Sequence, residues 1–96
     1  MMFTIPPTHP CLAGHFPGRP VVPGVVLLDH VLAAVLAANP GARAAGLPMV
    51  KFTRPVLPGQ SVHVACSPAR EGRVAFTCSE AGVDVARGTV LLEAGP

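Results

Sequence analysis

Gly24-Val25-Val26-Leu27-Leu28-Asp29-His30-Val31-Leu32-Ala33-Ala34-Val35-Leu36-Ala37-Ala38 is an apolar run broken only by Asp29 and His30. Its length and its alanines favour a helix over a strand. Pro23-Gly24 punctuates the start, and Asn39-Pro40-Gly41 provides the stop. A helix that is apolar on every face is expected to be buried on nearly all sides. It is too short for a membrane span and carries an acid in its interior, so no membrane role is expected.

The residues that follow supply what could bury it. Met49 to Leu57 alternates, with Val50, Phe52 and Val56 on one face and Lys51 and Thr53 on the other. Pro58-Gly59 turns the chain into Gln60 to Cys66, where Val62, Val64 and Cys66 alternate with Ser61 and His63. After Glu71-Gly72, Val74, Phe76 and Cys78 face one way, and Ala81-Gly82 leads into a last strand from Val83 to Glu93. Alternating runs joined by short turn signals predict an antiparallel meander. One apolar helix and several half-buried strands pack as an α+β fold, with the sheet curled around the helix. Residues 1–96 read as a single domain of this hot-dog type, without an internal repeat.

Upstream, Pro6, Pro7, Pro10, Pro17, Pro20 and Pro23 crowd the stretch from Ile5 to Gly24. Prolines at that density exclude a helix or a central strand and predict an extended, stiff loop. Half of the chain is hydrophobic and only 12% is charged. That is more apolar surface than so short a chain hides alone, and a homo-oligomer is expected. The net charge of +2 is scattered, and there is no Trp or Tyr, which argues against nucleic-acid binding. The opening residues lack the basic and apolar regions of a signal peptide. Cys11, Cys66 and Cys78 are odd in number with no C-x-x-C pair, against a disulfide framework or structural zinc. Free thiols in a cytoplasmic protein are the expectation, each a small buried hydrophobe.

The chemistry concentrates at His15 and Asp29. The proline-rich loop presents His15 just ahead of the helix that carries Asp29. A carboxyl group among Val, Leu and Ala must find a partner or stay protonated, because a buried lone charge costs several kcal/mol. A protonated acid is what a departing hydroxyl group requires. The helix dipole opposes protonation, but it fades beyond the first turn. The competing reading of Asp29 is a buried carboxylate bonded to a backbone amide or to His30, the latter weakened because helix neighbours do not face each other. His15 alone reads equally well as packing at a turn. His9 and His63 look structural or exposed, and His30 is expected at an interface or solvent edge. At the helix start, the amides of Gly24 and Val25 lack intrahelical acceptors and would polarise a carbonyl placed there.

The stretch Gly14-His15-Phe16-Pro17-Gly18-Arg19-Pro20-Val21-Val22-Pro23-Gly24-Val25, with Asp29 following, resembles the 3-hydroxyacyl-acyl-carrier-protein dehydratases of the FabA and FabZ type. Val50-Lys51-Phe52-Thr53-Arg54-Pro55-Val56-Leu57-Pro58-Gly59 is similar to their second strand and turn. The resemblance implies a hot-dog homodimer with active sites at the interface, His from one protomer and the acid from the other. It implies that His15 removes the Cα proton of a 3-hydroxyacyl thioester and that Asp29 protonates or orients the leaving hydroxyl. Gly18 and Gly24 would hold the thioester carbonyl, with Val25 and Phe16 also against the substrate. Phe16, Val25, Leu28 and Phe52 are candidates for an acyl tunnel, against the commoner role of plain core. The carrier would be an acyl-carrier protein or CoA, with no metal or organic cofactor. Arg19, Arg43 and Arg54 are candidates for a pantetheine phosphate or an acidic carrier face. The chain is shorter ahead of the proline loop than typical members, which places it nearer the compact ApeI-like branch. Its acid is Asp, as in the FabA type.

Two other functions fit the fold. A thioesterase would use a carboxylate to activate water, but has no obvious use for His15. The other is a non-catalytic acyl-binding or partner subunit of a longer dehydratase, against which the presence of both His15 and Asp29 argues.

Overall fold

The computed structural model describes residues 1–6 and 21–95. The helix forms with the bounds read from the sequence, Gly24–Ala38 (α1). Pro23 precedes it in an extended conformation, and the backbone N–H of Asn39 closes it on the carbonyl of Leu36. The Asn39 side-chain Nδ2 donates a second bond to the Val35 carbonyl at 2.8 Å, satisfying an end that the helix itself cannot.

Five strands surround one side of this helix: β1 (Met2–Thr4), β2 (Ala42–Phe52), β3 (Ser61–Cys66), β4 (Arg73–Glu80) and β5 (Val83–Ala94). They form a single sheet in the order β1-β3-β4-β5-β2, with every neighbouring pair antiparallel. The alternation read for β3 and β4 is the one observed: Val62, Val64, Val74, Phe76 and Cys78 are buried while Ser61 and His63 are exposed. These side chains meet Leu27, Val31, Ala34 and Val35 of α1, with Val85, Ala86 and Val90 of β5 completing the core. The β4–β5 turn places Ala81 at φ 49 and Gly82 at φ 81. Two successive positive φ values are what a tight hairpin with right-handed strand twist requires.

Two strands depart from the sequence reading. β1 was not anticipated; it is three residues long and is held through Phe3, opposite Val62, whose ring stacks on His30 at 4.0 Å and 3°. His30 is therefore half-buried against β1. β2 begins at Ala42 and ends at Phe52, so the expected strand from Met49 to Leu57 is displaced towards the N-terminus. Register shifts on both sides of Gly46 hide its period, and Pro48 is tolerated because β2 is an edge strand. Beyond Phe52 the ladder stops: the amides of Thr53 and Arg54 both turn to the Val85 carbonyl, and Pro55 follows.

Among the described residues, the expected all-round burial of α1 does not hold. Leu27, Val31, Ala34 and Val35 face the sheet, but Val25, Asp29, Ala33 and Ala37 form an exposed stripe. A sheet of this size covers one side of the helix, and no other described element covers the opposite apolar side. Among the described residues, no helix is long and apolar enough to cross a membrane.

Candidate active site

Asp29 lies on that open stripe, between Val25 one turn before it and Ala33 one turn after. The apolar surround expected for its carboxyl group is present on the helix, yet no other described element covers it. The burial from which a protonated acid was argued must therefore come from outside the described residues of one chain. His15, Phe16 and Gly18 lie outside the described residues, as do His9, Cys11 and Arg19.

The helix start provides the second part of the site. The first intrahelical bonds run from the amides of Val26 and Leu27 to the Pro23 carbonyl at 3.0 and 3.3 Å, and no side chain caps the end. Among the described residues, the N–H groups of Gly24 and Val25 have no backbone acceptor. They stand at the positive end of the helix dipole, where an oxyanion or polarised carbonyl is favoured. Val22 is fixed beside them by its own amide, which donates to the Val56 carbonyl at 2.8 Å.

A cavity of about 380 Å³ adjoins Gly24, lined by Val22, Leu27, Phe52, Pro55 and Val56 among others. Asp29 is not part of this lining. The two features lie on different faces of α1, so one chain's described residues do not bring the acid to the cavity. Of the predicted tunnel residues, Phe52 lines the cavity, Val25 is on the open stripe and Leu28 is half-buried against the core.

The β2 edge carries exposed apolar groups, Leu47 and Met49, that sequence reasoning did not single out. Their placement became visible only with β2 at the end of the sheet order. Phe52 and Val25 are exposed as well.

The cations separate into two classes. Arg43 is taken by an ion pair with Glu93, its cross-strand neighbour. Arg54 lies at the cavity rim. Lys51 and Arg87, which the sequence reading passed over, are opposite one another in the β2–β5 register and both exposed. Like charges in that relation disfavour the sheet, and neither has an ion-pair partner among the described residues.

Cys66 and Cys78 are free thiols, as expected, and Cys78 is fully buried. Burial pushes its thiol from the ordinary 9.0 up to about 11, with Cys66 adding to the shift. The fold thus favours the neutral thiol, and this stabilisation is complete below about pH 9 and lost as pH rises towards about 11. Urea midpoints measured over that range should fall more steeply for the wild type than for Cys78→Ala. Parallel curves would place the thiol in a wetter site.

The ApeI-like family, described as ApeI dehydratase, matches residues 1–89. A 3-hydroxyacyl-[acyl-carrier-protein] dehydratase FabZ from Haemophilus influenzae is 35% identical over 90% of this chain. The chain spans 63% of that relative's length. The dehydratase heterocomplex ApeI:P from Xenorhabdus doucetiae superposes with a TM-score of 0.80 at 26% identity, covering 95% of this chain and 82% of the other. An acyl-ACP thioesterase from Bacteroides thetaiotaomicron gives a TM-score of 0.71 at 13% identity, covering 97% of this chain and 36% of the other. The hot-dog fold is thus common to dehydratases and thioesterases, and the fold alone does not choose between them.

Proposed function

Since the chain belongs to the ApeI-like dehydratase family, we propose that it reversibly dehydrates a 3-hydroxyacyl thioester to the trans-2-enoyl thioester. His15 removes the Cα proton, and Asp29 delivers a proton to the departing hydroxyl. The amides of Gly24 and Val25, with Gly18, hold the thioester carbonyl as negative charge develops on it. Phe16 lies against the acyl chain.

The observation that carries this reading is an exposed carboxyl group set in an apolar helix stripe. Solvated acids normally sit among polar neighbours. Asp29 between Val25 and Ala33 makes chemical sense when a second subunit closes over the stripe and withdraws the acid from water. Leu47 and Met49 on the β2 edge are exposed apolar groups that such a subunit would also cover. The active site is accordingly completed by a homodimer. Met49→Asp is expected to raise the dimer dissociation constant about a hundredfold, because two-fold symmetry buries the new charge twice. Light scattering across a dilution series reads this directly; an unchanged dimer would move the interface elsewhere.

An acyl-carrier protein or CoA delivers the substrate. Its anionic groups meet Lys51 and Arg87 in preference to Arg43, whose charge Glu93 already neutralises. The unpaired thiols agree with a cytoplasmic location.

The assay is hydration of a short trans-2-enoyl thioester on each carrier, followed by loss of the conjugated absorbance. Hydration without thiol release supports the dehydratase. Thiol release would assign a thioesterase. If neither reaction occurs, the chain is an acyl-binding or partner subunit.

A further inference from the structure

Phe52 behaves unlike the rest of its surroundings. It pairs with Ala86, which is buried, while Phe52 itself is 50% exposed. The ring nonetheless turns towards the helix: a Cβ built on Gly24 would lie 2.7 Å from its Cζ. An aromatic ring that faces inward and stays half open stands at the rim of a cavity. Beyond it are the buried side chains of Val22, Leu27 and Val56.

We propose that Phe52, resting on Gly24, is the residue that limits the length of the acyl chain. The inference rests on the proposed use of the Gly24 and Val25 amides as the carbonyl-holding groups. A carbonyl held there puts the first acyl carbons beside the ring, and the large side chain packed on Gly24 decides how far the tail continues. Glycine at position 24 is part of the same device, since any side chain would have to displace the ring. Hydrophobic pockets discriminate by whole methylene groups, each worth roughly tenfold or more in affinity. One aromatic wall is enough to produce a sharp length limit.

The test uses S-(2-oxoalkyl)pantetheine thioethers of increasing tail length, which keep the carbonyl but neither dehydrate nor hydrolyse. Binding is measured by calorimetry for the full-length wild type, Phe52→Ala, Phe52→Leu and Gly24→Ala, alongside thermal unfolding. Wild type should gain affinity with length up to a limit and then lose it. Phe52→Ala should move the limit to longer tails, changing the long-to-short affinity ratio by about tenfold. Phe52→Leu should fall between, and Gly24→Ala should move the limit towards shorter tails. A ratio unchanged within twofold in folded Phe52→Ala overturns the inference. So does a wild type whose affinity does not depend on tail length. Binding with the expected length shift but no hydration of enoyl thioesters would refute the dehydratase reading alone. Hydration with an unmoved length limit would refute only the role of Phe52.

Discussion

His15→Ala and Asp29→Asn are each expected to reduce enoyl-thioester hydration by about 10²- to 10⁴-fold, the range for loss of a positioned acid or base. Asp29→Asn is nearly isosteric and removes only the ability to exchange a proton. It lies on an exposed stripe, so folding should be unaffected. The double variant should be scarcely worse than either single one, because both groups serve the same transition state. The proposal that they act from different protomers gives a stronger test. If each site takes His15 from one chain and Asp29 from the other, a mixed dimer of the two variants contains one intact and one doubly defective site. Random reassortment makes half the dimers mixed, so roughly a quarter of wild-type activity should return. Pairing within one protomer predicts no recovery at all. Measuring the rate after co-refolding an equal mixture decides between the two arrangements. No recovery with a normal dimer would place both groups in one chain.

What the sequence revealed follows from which interactions are local. The helix bounds were legible because Pro23 and Asn39 act on their immediate neighbours. The faces of β3 and β4 were legible because a period of two needs only a few residues. The first half of β2 was not, because shifts on both sides of Gly46 destroy that period. β1 was missed because three residues carry too little pattern, and its hold on Val62 and His30 is non-local. The residue types Asp29 and Gly24 could be read from the chain, while their environments could not. An apolar helix has no mark in sequence for the side that a sheet will cover, so the stripe carrying Asp29 could not be told from the one that faces the sheet. The opposition of Lys51 and Arg87 exists only in the register. Neither residue carries a signal of it in isolation.

Among the described glycines, Gly88→Ala should be the most damaging replacement. Gly88 is buried at the middle of β5, opposite Val50 of β2 and Phe76 of β4. A Cβ there would run into the backbone carbonyl of Met49 and lie 2.8 Å from Cζ of Phe76. The Phe76 ring occupies the space a side chain at 88 would need. It is itself 2% exposed, so it cannot swing into solvent. The carbonyl belongs to the β2 backbone and yields only if the strand shifts. The expected cost is about 3 kcal/mol, the upper end for overpacking a filled core, and a large fraction of the stability of a small domain. Gly46→Ala is the matched control on the neighbouring strand: its nearest contact, the Leu91 side chain, is at an ordinary 3.5 Å. It should change the urea midpoint little. Gly88→Ala/Phe76→Leu should recover part of the loss, because it relieves the ring but not the Met49 carbonyl. Full recovery would mean that β2 gives way freely. A normal midpoint for Gly88→Ala alone would contradict the packing of β2 on β5. Since Met49 is also on the proposed subunit edge, a displaced β2 should weaken the dimer as well as the monomer. The midpoint of Gly88→Ala should consequently depend on protein concentration less than that of the wild type.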